Sequence, residues 1–515
     1  MKKKIIFYNI LLAGVFMASS CGDEFLTVYP EDTLTTDTFY KTPDQFKVAV
    51  NGAYAGLQSL YSSVTAPMYL YGEMRSDNTT FEGTNNQSTI LRKQQDQFLE
   101  PRTAADGFFT SLYQNISRSN IILDLIDGST LSDAQKAQIK GEASFLSAFN
   151  YLQLVKLWGE VPLVLHQVKT YEEAFQVSAT KASVTAIYNQ IILDGTTAAT
   201  SLPATYAATD RGRATKYAAK MLMADAYLTQ GKYTEALTQL TGTDGVITGG
   251  VHSLITAAAA PAWPGLPSSA YAGIWGTANE FNKESIWEIN YIQSDVYTTQ
   301  VSTFHDTFAP NDANYSAGGV AQADLNAGGW GIVTTDMLNT FEANDQRKSL
   351  LITNFVGGNG KPIPYTTKYF SNHTTFQRYG NNWIVYRYAE ALLIAAECLN
   401  KTGQDALALP YLNAVRTRAG LPVSALTGTA LFDQIIHERR VEFLHENKRW
   451  FDLLRTGTAV SVMQAFGNAF RADPNNPNPP DITPAGAYAP ANILTKLIYP
   501  DREVQVLGFT PPVGG

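Results

Sequence analysis

Ala224-Asp225-Ala226-Tyr227-Leu228-Thr229-Gln230-Gly231-Lys232-Tyr233-Thr234-Glu235-Ala236-Leu237 is the stretch that decides the fold. It lies within Ala214 to Leu240, where apolar residues recur with a period of about 3.6 on either side of Gly231, and so reads as helix, short turn and helix. Glycine at the turn lets the helices approach, and Tyr233 and Ala236 fill the contact. One pair of short helices cannot bury its own apolar face, which predicts stacked neighbours along the chain.

Such neighbours occur on both sides. Ile139 to Trp158 is an amphipathic helix ended by Gly159 and Pro162, and Ile384 to Asn400 with Asp405 to Arg418 forms another hairpin. Pro410 falls inside the second helix of that hairpin, which predicts a later start for it. A helix at Asp44 to Tyr61, after the start signal Thr42-Pro43, opens the series. The turn around Gly231 resembles that of a tetratricopeptide repeat. Residues 244–380 differ in character, being rich in Gly, Ser, Thr, Asn and aromatics. Within them Ser285 to Tyr291 alternates, with Trp287, Ile289 and Tyr291 on one face and Glu288 and Asn290 on the other, as in a half-buried strand. A structureless loop of that length is improbable, so the region is expected to pack on the helices as loops and short strands. Asp473 to Pro490, dense in Pro and Asn, reads as an extended strap.

The chain has 515 residues, 45% hydrophobic and only 16% charged, with a formal net charge of −8. That balance supplies a sizeable core and, with no basic run, argues against nucleic acid as a partner. At the start, Lys2, Lys3 and Lys4 precede an apolar run from Ile5 to Met17, too short for a bilayer that needs about 20 residues. Ala18-Ser19-Ser20-Cys21 then resembles a bacterial lipobox, so residues 1–20 read as a lipoprotein signal peptide and Cys21 as the lipid attachment site. Gly22, Asp23 and Glu24 resemble the signal that sends some lipoproteins to the outer face. Cys398, the second of two cysteines, then has no disulfide partner and reads as a small core residue.

Tyr386-Arg387-Tyr388-Ala389-Glu390-Ala391-Leu392-Leu393 is followed by Leu412-Asn413-Ala414-Val415-Arg416-Thr417-Arg418-Ala419-Gly420-Leu421, His437-Glu438-Arg439-Arg440-Val441-Glu442-Phe443 and Lys448-Arg449-Trp450-Phe451-Asp452-Leu453. With Gly141-Glu142-Ala143, Trp158-Gly159-Glu160-Val161-Pro162-Leu163, Phe341-Glu342, Asp345, Arg347 and Tyr499-Pro500, these resemble the SusD/RagB family over nearly all of residues 21–515. Ser147 and Phe149 depart from its common Arg-Ala pair, and the tail is short. The resemblance implies one mainly α domain. In it, a tetratricopeptide-like repeat scaffold, roughly 40–240 and 383–460, carries a ligand-binding loop elaboration at roughly 244–380. It also implies a surface lipoprotein that captures oligosaccharide, or in some members peptide, and passes it to a SusC-like TonB-dependent β-barrel without catalysing a reaction.

The residues themselves carry no catalytic motif that would replace this reading. His437-Glu438 begins a zinc-type H-E-x-x-H, but Val441 stands where the second histidine belongs. Gly360-Lys361 has no glycine five residues earlier and is followed by Pro362, so it is no phosphate loop. No nucleophile elbow occurs, and a glycosidase carboxylate pair has no positive support. No catalytic residue, metal ligand or cofactor is therefore assigned. Glu438, Glu442 and Glu446 would repel at i, i+4 spacing unless cations intervene, and Arg416 and Arg418 are the expected ones.

A glycan site needs exposed aromatic planes with amides and carboxylates around them. Trp263, Tyr271 and Trp275 are the expected platform, with Tyr315 and with Trp330 between glycines as further contacts. Asp77 and Asn78, in the polar stretch Arg75 to Phe81, are expected to bind hydroxyls. Two alternatives are a lid or assembly subunit with little ligand affinity and a surface glycosidase. The anchor is testable alone: Cys21→Ala should move the protein from the membrane to the soluble fraction when no barrel is present. A variant that still fractionates with outer membranes would overturn the lipid assignment.

Overall fold

The computed structural model describes residues 39–62, 67–81, 96–99, 105–261, 265–296, 300–310, 329–357, 360–370, 378–478 and 483–509. Its first part is a row of helices: α1 (Pro43–Tyr61), α2 (Asp106–Ile126), α3 (Asp133–Trp158), α4 (Tyr171–Ser178), α5 (Val184–Ser201), α6 (Lys216–Thr229) and α7 (Tyr233–Thr241). Capping boxes start three of them, with Thr42 and Gln45, Ser132 and Gln135, and Thr170 and Glu173 exchanging side-chain and backbone bonds. From Gly141 onward α3 is buried on every side, held between α2 and α5 with α1 beside it. The α6–α7 turn has Gly231 at φ 71°, the left-handed conformation that glycine adopts without strain.

The strands are short: β1 (Thr79–Thr80), β2 (Ser285–Ile289), β3 (Ile332–Val333), β4 (Leu351–Ile352), β5 (Tyr365–Thr366) and β6 (Trp383–Arg387). They pair antiparallel as β1 with β3, β2 with β6 and β4 with β5. Two short helices, α8 (Phe304–Phe308) and α9 (Thr335–Thr340), lie among them. The alternating strand forms where expected, but it is buried on both faces rather than one. Phe145 and Phe149 of α3 pack edge-on against Trp287, while Glu288 on the opposite face accepts bonds from Phe281 N and Asn382 Nδ2.

β6 runs directly into α10 (Tyr388–Lys401), followed by α11 (Asp405–Arg418), α12 (Gly428–Glu442), α13 (Arg449–Arg455), α14 (Ala459–Ala472) and α15 (Asp501–Leu507). α10 packs on α7 on one side and on α11 and α12 on the other. The helical row is therefore continuous in space although residues 244–380 interrupt it in sequence. Pro410 does not delay α11, which starts at Asp405. The carbonyl deprived of its donor belongs to Ala406, which is exposed and can bond water, while Ala408, Leu412 and Val415 hold the helix in the core.

Between the last helices and the strand region lies a cluster of buried charges. Arg418 of α11 pairs with Glu442 of α12 and, at 3.0 Å, with Glu284 beside β2. Arg387 at the end of β6 meets the same Glu284 and Glu442, and Glu446 at 2.7 Å. Arg347 reaches Asp345, Glu438 and Glu442, and Lys368 meets Glu446 at 2.8 Å. Arg416 bridges Glu438 and Glu342. Arg416 and Arg418 are thus the cations expected between the glutamates. The cations from the strand region, Arg347, Lys368 and Arg387, were not expected.

Burial opposes ionisation of Glu442, but Arg418, Arg387 and Arg347 outweigh it and hold its carboxyl far below the usual range. Arg439 and Arg455 do the same for the buried Asp452. Depressed folded-state values mean that this stability is complete above the ordinary carboxylate range and is lost as pH falls through the depressed values. Denaturant midpoints should therefore decline below about pH 4, the ordinary carboxylate range. Glu442→Gln, which leaves three buried guanidiniums short of a partner, should cost about 3–5 kcal/mol at neutral pH. A variant within about 0.5 kcal/mol of the parent, the ordinary range for a neutral surface change, would refute that role.

Candidate ligand-binding face

The elements that carry Asp77, Asn78 and Trp330 meet at the turn Phe443 to Lys448, directly after α12. His445 and Asn447 there have φ of 63° and 60°, a conformation that costs a non-glycine residue free energy and has to be held from outside. Glu73, in the π turn Leu70–Met74, holds it by accepting His445 N and Asn447 N at 3.1 Å each, and Asn78 Nδ2 at 3.0 Å. Burial nevertheless pushes the Glu73 carboxyl up to about 7. Tyr369 donates to His445 O, Lys368 donates to Leu444 O, and His445 Nε2 lies 2.9 Å from Gly331 O. Burial holds the His445 ring neutral, with its pKa near 3. Tyr369 stacks on Trp383 at 4.9 Å, and Phe304, Phe308 and Tyr69 extend this aromatic layer below the face.

Asp77 and Asn78 are buried and already engaged. Arg449 grips both Asp77 oxygens at 2.7 and 2.8 Å, and Arg440 adds a contact at 3.0 Å. Burial raises the Asp77 carboxyl, but the two arginines outweigh it and bring it down to about 2. Asn78 donates to Glu73 and accepts from Arg440 Nε. Trp330 is 4% exposed, its carbonyl accepting Tyr69 OH and its N–H bonding Thr307 O. Thr334 joins these residues, donating to Asp77 O and Asn78 O.

Tyr271 and Trp275 stand apart, on the far side of Glu442. Tyr271 OH donates to Glu442 O, Lys368 lies 4.6 Å from the Trp275 ring centre, and Arg418 lies 5.2 Å from that of Tyr271. At 1% and 6% exposure these two rings cover the charge cluster and do not form the solvent-facing platform that was expected of them. Trp263, Tyr315 and Cys21 lie outside the described residues. The expected contacts thus fall into two groups, Asp77 with Asn78 and Trp330, and Tyr271 with Trp275. The sequence signal for the first was the pair Arg440 and Arg449, which reach Asn78 and Asp77 from more than 300 residues away in the chain.

Open surface exists elsewhere. Among the described residues the exposed aromatic rings are Tyr171, at 81%, and Phe175, at 48%. They project from α4, which buries none of its residues, into a groove of about 360 Å3 shared with Tyr113, Gln114, Val506 and Leu507. Their i, i+4 spacing behind the Thr170–Glu173 capping box was the available signal. A second, polar cleft of about 290 Å3 runs beneath α1 between Asn51, Gln58, Arg213 and Asn290.

Residues 24–228 match the family model described as starch-binding associating with outer membrane, and residues 353–500 match that of the SusD family. A SusD-like protein of Formosa agariphila is 27% identical over 93% of this chain and 94% of its own length. A SusD-like protein of Bacteroides ovatus is 22% identical over 88% of this chain and 82% of its own length. Among solved structures, a laminarin binding SusD-like protein superposes with a TM-score of 0.74 at 22% identity, covering 92% of this chain and all of that one. Surface glycan-binding protein A from Bacteroides thetaiotaomicron in complex with laminarihexaose superposes with a TM-score of 0.69 at 21% identity, over 90% of this chain and 97% of that one. With matches to these models in both of its helical parts and the same fold across nine-tenths of its length, the chain belongs to the SusD/RagB family.

Proposed function

We propose that this protein is a cell-surface lipoprotein that binds oligosaccharide nutrients and delivers them to a SusC-like TonB-dependent transporter in the outer membrane. The observation that carries the reading is the superposition, along almost the whole chain, on proteins described as laminarin binding and as surface glycan-binding. The description of the model matched by residues 24–228 supports outer-membrane association, and the lipobox at Cys21 supplies an anchor. Burial supports binding over hydrolysis. Asp77, Glu438, Glu442, Glu446 and Asp452 are each engaged by cations in the interior and offer no free pair of carboxylates to a glycosidic bond.

Of the residues expected at the ligand, Asp77, Asn78 and Trp330 are assigned to holding the face in shape, and Tyr271 and Trp275 to covering the charge cluster. Trp263 and Tyr315 are assigned to the sugar, where each stacked ring contributes about 1 kcal/mol.

Isothermal titration with laminarihexaose, other neutral glycans and oligopeptides tests this. At least one glycan should release heat, and Trp263→Ala and Tyr315→Ala should each weaken it about tenfold, close to the upper end of what a stacked ring contributes. Asp77→Asn should lower the melting temperature and leave the affinity of the folded fraction intact. No heat with any ligand, from protein that still co-purifies with a barrel, would favour the lid reading. Unchanged affinity in both aromatic variants would overturn the site, and release of reducing sugar would revive the glycosidase.

A further inference from the structure

The last turn of α3, the first turn of α5, the α6–α7 turn, α13 and Lys496 together enclose a cleft of about 550 Å3. Among the described residues four cations line it, Lys156, Lys232, Arg455 and Lys496, and no aspartate or glutamate does. In a chain with a net charge of −8 that is an unusual concentration.

Two of the four are neutralised from behind the wall. Lys156 Nζ meets both oxygens of Asp225, at 2.7 and 2.6 Å, and Arg455 is held by Glu397 and Asp452. The other two are not. Lys496 Nζ donates to Val155 O and Lys156 O at 3.3 and 2.8 Å, bonds that satisfy the C-terminal carbonyls of α3 and leave its third N–H. Among the described residues no carboxylate balances its charge, and burial together with the nearby Lys156 brings its pKa down to about 8. Lys232 is exposed and makes no ion pair among the described residues. The 18-residue α5 begins at the same cleft. Ser183 caps Ala186 N, while Val184 and Thr185, in the first turn, have no intrahelical acceptor for their N–H groups. That end of the helix adds partial positive charge.

A partly buried ammonium without a counterion is costly, and an oxyanion placed among these donors would restore charge balance through charge-assisted bonds. We propose that this cleft binds an anionic group, the carboxylate or sulfate ester of an acidic oligosaccharide, at a site on the helical scaffold separate from the loop elaboration. The sugar part of the proposal rests on the glycan-binding reading; the anion part stands on the cleft alone.

Titration at fixed ionic strength with paired probes tests it: a sulfated oligosaccharide and its desulfated counterpart, an oligogalacturonate and its methyl ester, and inorganic sulfate. The charged member of each pair should bind at least about tenfold more tightly, equivalent to about 1.4 kcal/mol. Lys496→Gln and Lys232→Glu should each abolish the preference and leave the affinity for laminarihexaose unchanged. Lys232 is exposed, so its variant reports on binding even if the loss of Lys496 loosens α3. Equal affinities within the pairs, or a preference that survives in the Lys232→Glu protein, would overturn the proposal. Inorganic sulfate binding as tightly as the sulfated sugar would uphold the anion site and remove its sugar. Loss of laminarihexaose binding in the parent, with the charge preference intact, would count against the glycan face alone.

Discussion

The carboxylate of Glu442 is the point on which the two parts of the molecule depend. Arg418 approaches it from the helical row, Arg387 from the end of β6, and Arg347 from the turn before β4. Burying any one of these guanidiniums without a carboxylate would be costly, so the helices and the strand region can each be dry there only when the other is in place. Such a cluster adds little net stability over an apolar core of the same volume. Its consequence is positional, because several charges of both signs can be satisfied together in few arrangements.

The same constraint fixes the face above. Glu446, four residues beyond Glu442, holds Lys368 and Arg387, and between the two glutamates the chain makes the left-handed turn at His445. That turn is braced by Glu73, whose neighbour Asn78 shares Arg440 with Asp77. An unbroken series of hydrogen bonds therefore runs from the buried cluster through the turn to the base of the expected ligand face.

The scaffold was largely legible in the chain, because helical period, capping boxes and the Gly231 turn are local properties. The hairpin at 214–240 appears with its expected pairing; the one expected from Ile384 begins only at Tyr388, because Ile384 to Arg387 pair with β2 as the strand β6, and Arg416 and Arg418 lie where glutamates at i, i+4 spacing demanded them. Burial of the aromatics was not legible. Tyr271 and Trp275 occur among Gly, Ser and Ala, a setting that looks exposed, and only the approach of Lys368 and Arg418 from distant parts of the chain encloses them. Asp77 misled for the same reason, since its partners lie in the last quarter of the sequence. The both-sided burial of β2 likewise comes from α3 and β6 closing on it, which alternation within five residues cannot reveal.

The packing of α7 against α10 has a kinetic consequence. Helices α1 to α7 contact mainly their sequence neighbours and can form as the chain emerges, each turn soon after the last. α10 must find α7 after the whole intervening region has been delivered, and loop-closure entropy has to be met before that contact stabilises anything. Until then the partners of Glu284 and Arg387 are missing and both charges stay in water. The buried cluster can therefore close only after α12 has been made, which leaves the turn at His445 and its brace on Glu73 to the last hundred residues of the chain.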